Sequence, residues 1–69
     1  MSNTHPSIVA VLRFFVYDHL PDRLQEISRP FSDLAERIAE SAPNDPETTV
    51  ALRKLLESKD AAVRAALGG

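Results

Sequence analysis

From Val50 onward this 69-residue chain carries four basic residues, Arg53, Lys54, Lys59 and Arg64, against only Glu57 and Asp60. The first 49 residues hold four basic and eight acidic groups, so a chain of net charge −2 gathers its positive charge on one segment. Such a segment focuses small anions while the molecule as a whole repels bulk nucleic acid. Lys59 is its oddest member. It falls in the centre of an apolar stripe made by Leu52, Leu55, Leu56, Ala62, Val63 and Ala66. An ammonium there must snorkel past the alanines, pair with a carboxylate, or meet an anion, because burying it alone is costly. Near the other end, Ala10, Phe14 and Tyr17 recur at i, i+4 and i+7, bordered by Arg13. On a helix they oppose a core stripe of Ile8, Leu12, Phe15 and His19. A second subunit covers this aromatic face, or a ligand ring stacks on it.

Other chemistry lacks its parts. Ser7, Ser28, Ser32 and Ser41 have no histidine and acid at a spacing that would make a nucleophile. Glu36 and Glu40 pair at i and i+4 on a solvated side, and two histidines in the chain are too few for a di-metal site. No cysteine is present, which removes disulfides and thiolate metal sites, and the two glycines are Gly68 and Gly69, which leaves no Gly-rich phosphate loop. The expectation is therefore a non-enzyme with neither cofactor nor metal. Duplex DNA or RNA binding is not expected either, since it wants a basic face across the whole domain. No apolar run approaches the roughly 20 residues of a membrane span, and Met1 to Pro6 lacks a basic signal stretch, so a soluble, cytoplasmic protein is expected.

Prolines punctuate the elements that must position these residues. Pro6 and Pro21 bracket a first helix over about residues 7–20. A second helix, about 21–42, carries Leu24, Ile27, Phe31, Leu34, Ile38 and Ser41 at a 3-4-3-4-3 spacing that defines one seam. Pro30 lies inside it in register with both halves, which predicts a kink. That bend either wraps the helix around its neighbours or aims Ser28 and Arg29 at a ligand. Asp45 as N-cap and Pro46 at the first helical position open a third helix, about 46–67, that stops at Gly68. Strand signals are absent. The fold class is thus all-α: a short N-terminal helix, then an antiparallel helical hairpin, forming one domain over 1–69. So short a chain buries only about 60% of its unfolded surface. With no disulfide or metal to add stability, a homo-oligomer is expected.

Three strings carry a resemblance. They are Phe14-Phe15-Val16-Tyr17-Asp18-His19-Leu20-Pro21, then Leu24 to Phe31 with Leu34-Ala35, and Thr49 to Arg64. Together they resemble the phage anti-CBASS cyclic-nucleotide sponges, whose helical hairpin domain is shared with the phage anti-Thoeris sponges. The likeness spans about Phe14 to Leu67 and rests on helix-face residues. It implies a hexamer in the host bacterial cytoplasm that sequesters cyclic dinucleotides, and in separate pockets cyclic trinucleotides, without cleaving them, so that a host CBASS effector stays inactive. It also implies a dinucleotide pocket using Phe14 or Tyr17 with Arg29 before the Pro30-Phe31 step. The trinucleotide pocket it implies would use Arg64 on the phosphates and Ser58 against the bases.

The ligand-binding set expected from both lines of reasoning is Phe14, Tyr17, Ser28, Arg29, Ser58, Lys59 and Arg64. The rival expectation is a helical-hairpin interaction module whose exposed stripes bind protein partners and no nucleotide.

Overall fold

A computed structural model describes residues Thr4–Gly68. The single domain expected over 1–69 extends at Met1–Asn3 and Gly69 outside these described residues. The architecture is all-helical, with no strand among the described residues. Helix α1 spans Pro6–Leu12, a 3-10 turn follows at Arg13–Phe15, α2 spans Asp22–Ser41, and α3 spans Pro46–Ala66. The last two pack side by side and antiparallel. At one end of the pair, Arg23 Nη1 donates to the Ala66 carbonyl (3.0 Å); at the other, Thr48 Oγ1 donates to the Ala42 carbonyl (2.7 Å).

Each end of α3 is closed as its sequence requires. The Asp45 side chain accepts from the Glu47 amide at 2.8 Å, with Pro46 in the first turn. At the other end Gly68 takes φ +85°, a conformation costly for any residue with a Cβ, and its amide donates to Ala65. Helix α1 is capped by His5, whose Nδ1 accepts from the Ser7 amide at 3.1 Å. The His5 amide donates to Pro43 at 2.8 Å, and Ser7 Oγ lies 3.1 Å from Thr49 Oγ1. These contacts fasten the start of α1 to the α2–α3 turn and to the first turn of α3.

Two expectations need correction. The first helix does not run to residue 20: it tightens at Arg13–Phe15, and Val16 is extended (φ −64°, ψ 133°). The chain must reverse before α2, and only residues 16–21 are available to do so, a connection of ordinary length. Gln25 Nε2 holds that connection by donating to the Leu20 carbonyl at 2.7 Å. The supposed Ala10–Phe14–Tyr17 face is therefore not one helical face, and His19 is an exposed turn residue rather than a member of the core stripe.

The second correction concerns α2, where Leu24, Ser28, Ala35 and Ala39 are buried while Leu34 and Ser41 of the expected seam are exposed. The buried line has turned by one residue onto small side chains. These admit close approach of neighbouring elements, while Phe31 and Ile38 flank them half-buried. Ile8, Val11, Phe15 and Leu52 complete the core with Ala35 and Ala39. Helix α2 runs through Pro30 as one continuous element, with the proline on its exposed side.

A candidate anion-binding cleft

The 3-10 turn with the connection after it and the C-terminal part of α3 border a cleft of about 390 Å³, within the roughly 300–1,000 Å³ usual for small-molecule sites. Arg13 and Phe14 come from the 3-10 turn, Val16, His19 and Leu20 from the connection, and Lys59, Asp60, Val63 and Arg64 from α3. Helix α2 contributes Ser28. Phe14 is there because the helix tightens: Phe15 turns into the core while Phe14 is left 64% exposed. Lys59, half-buried, and Arg64, exposed, line the same cleft from successive turns of α3.

Lys59 resolves the anomaly of a cation within an apolar stripe. Its Nζ donates to the Phe14 carbonyl at 2.7 Å and lies 3.6 Å from Asp60 Oδ1, with the side chain only 13% exposed. It also stands 5.8 Å from the centroid of the Phe15 ring, within cation–π range. The lysine thus ties α3 to a carbonyl at the end of the first helix, where helical carbonyls lack internal partners. Arg13 and Arg64 have no ion pair among the described residues. Three cations against one carboxylate give the lining a positive balance in a chain that is acidic overall.

Ser28 adds a polar group of another kind. It is 1% exposed, and its Oγ has no hydrogen-bond partner among the described residues. A buried hydroxyl left unpaired costs about 1–3 kcal/mol, and such groups are uncommon enough to call for a cause.

Of the seven residues expected to bind ligand, Phe14, Ser28, Lys59 and Arg64 meet in this cleft. Tyr17 and Arg29 do not join them. Arg29 Cζ lies 5.7 Å from the Tyr17 ring centroid, and Tyr17 borders a separate shallow hollow with Val16, Asp18 and Ser32. Ser58 is exposed on α3 and lines neither site. The structure adds Arg13 and His19. In the sequence Arg13 only borders the aromatic residues, and a first helix reaching residue 20 would put His19 in the core. The early proline at 21, which demands a reversal ahead of it, was the available signal.

Among the described residues no cluster of three or more histidine, aspartate or glutamate side chains is placed to hold a metal ion. No helix among them is long and apolar enough to cross a membrane. No protein-family model, curated protein or solved structure matches this chain.

Proposed function

We propose that this protein binds and sequesters cyclic oligonucleotide second messengers without cleaving them, as the phage anti-CBASS sponges that its sequence resembles do. The observation that carries the reading is the cleft where Arg13, Lys59 and Arg64 surround an exposed phenylalanine and a buried, unpartnered serine hydroxyl. A cyclic dinucleotide or trinucleotide offers phosphate diesters for the guanidinium groups and flat bases for the ring. Arg29 with Tyr17 repeats the pairing of cation and aromatic at a second place, which supports separate pockets for the two ligand sizes.

In this reading no residue performs chemistry on the messenger. Capture alone lowers its free concentration, and the chain acts as a homo-oligomer, a hexamer by the resemblance, in the host bacterial cytoplasm. Isothermal titration with 3′,3′-cyclic GMP–AMP and with a cyclic adenosine trinucleotide tests it. Submicromolar binding of at least one, with intact ligand recovered after denaturation, is the expected result. Absence of binding to both would sink the reading in favour of a protein-interaction module presenting Val9, Phe14, Val16 and Val50, all of which are exposed.

A further inference from the structure

His19 stands exposed in the turn between Tyr17 and Leu20, where the Leu20 amide donates to the Tyr17 carbonyl. It lines the cationic cleft, and its ring has no hydrogen-bond or ion-pair partner among the described residues. The other charged groups of the lining are Arg13 from the 3-10 turn and Lys59, Asp60 and Arg64 from α3; α2 contributes only the neutral Ser28. Lys59 is committed to the Phe14 carbonyl and Asp60. An arriving anion therefore meets two unpaired guanidinium groups and one unengaged imidazole.

Histidine is the ordinary side chain whose charge changes across neutral pH. An anion seated beside it favours the imidazolium, because a nearby opposite charge stabilises the charged form. The neutral ring offers a single N–H, whereas the imidazolium offers two, and a charge-assisted bond to a phosphate oxygen is about twice as strong as a neutral one. We propose that His19 is a proton-linked contact of this cleft: an anionic ligand binds together with a proton, and the site tightens as pH falls. The proposal rests on the cleft being an anion site and adds how that site is regulated.

The second histidine is a built-in control. His5 lies at the other end of α1, where its Nδ1 caps the helix and its amide is bonded to Pro43. It does not line the cleft.

The test follows the ring proton resonances of both histidines by NMR from about pH 5 to 8, using the full chain. The runs are made without ligand, with inorganic pyrophosphate, with 3′,3′-cyclic GMP–AMP and with a cyclic adenosine trinucleotide. The His19 midpoint should move upward with pyrophosphate and with whichever cyclic oligonucleotide the cleft holds, while that of His5 stays in place. Calorimetry with the cyclic oligonucleotide, whose phosphodiesters do not titrate near neutral pH, in buffers of different ionisation enthalpy should show uptake of up to one proton per site, and affinity should rise at most about tenfold per pH unit, the limit for one linked proton. His19→Gln should abolish the uptake and flatten the pH dependence. Binding that Arg64→Ala weakens, with an unmoved His19, overturns the proposal and leaves the reading of the cleft intact, whereas binding that Arg64→Ala leaves unchanged lies outside the cleft and removes the cleft and the proposal together. A His19 response to pyrophosphate with no binding of either cyclic oligonucleotide keeps the proton linkage and removes the cyclic-nucleotide reading. If none of the three anions binds, both fall.

Discussion

Arg64 and Ser28 serve the same cleft from opposite situations, one exposed on α3 and the other sealed in α2. Arg64→Ala should weaken the ligand held in this cleft by roughly 10- to 150-fold, the worth of a charge-assisted bond of about 1.5–3 kcal/mol. Arg29→Ala should spare that ligand and weaken the one held beside Tyr17, because the two arginines belong to separate places. Titrations with a cyclic dinucleotide and a cyclic trinucleotide check the pair; equal losses for both ligands would make the two sites one. Ser28→Ala should have a split outcome. Removing an unpaired buried hydroxyl from a helix and leaving a better helix former should raise stability by about 1 kcal/mol, or about 4–8 °C in Tm for a domain of this size. The same change should weaken binding in the cleft. At this scale Lys59 was legible as an anomaly, since a cation in an apolar stripe needs an explanation. Its partner was not, because the Phe14 carbonyl is a backbone group 45 residues away that no side-chain pattern announces.

Helix ends that depend on neighbouring residues were legible, and those that depend on tertiary packing were not. Asp45, Pro46 and Gly68 set the limits of α3 through bonds made within a few residues. The end of α1 is set by the reversal the chain must make and by the Lys59 clamp from another helix, neither of which a periodic apolar run contains. The turn of the α2 burial line onto Ser28, Ala35 and Ala39 has a similar origin: periodicity finds the large residues, whereas close packing chooses the small ones. His5 offers a test of α1 as an element. His5→Ala should cost about 1 kcal/mol by removing the side-chain cap, and His5→Ser should restore most of it. Urea unfolding followed by circular dichroism measures both. A cost from alanine that serine leaves unrepaired would show that the imidazole matters through its contact with Ser7 Oγ, 2.9 Å away, rather than as a cap.

The whole chain is acidic, yet its cleft is cationic, and the division follows the sequence halves: three of the four charged groups in the lining lie beyond Val50. Binding of a cyclic oligonucleotide should therefore weaken with salt, but less steeply than duplex binding, since only a few phosphates are neutralised. Assembly belongs to this scale too. The exposed apolar residues Val9, Phe14, Val16, Leu34, Val50 and Leu67 are spread over all three helices and the connections, not gathered on one stripe. Light scattering at micromolar concentration should return a mass several times the 7.6 kDa of one chain. A mass of one chain would remove the multimer from the proposed function while leaving the cleft to be tested alone.

Helix α1 has seven residues, well short of the ~12–15 at which an isolated helix becomes even marginal in water. It exists only while docked, and the 3-10 turn bearing Arg13 and Phe14 exists with it. One wall of the cleft is thus part of the segment easiest to open, while α2 and α3 hold the rest. Amide hydrogen exchange should show this as early loss of protection over Ile8–Phe15 and late loss at Leu52. A ligand gripping Arg13 and Phe14 should slow exchange along α1, as far as the His5 end that it never touches. A bound ligand would then act as the missing piece of the fold, its occupancy read from the protection of a helix rather than from the ligand itself.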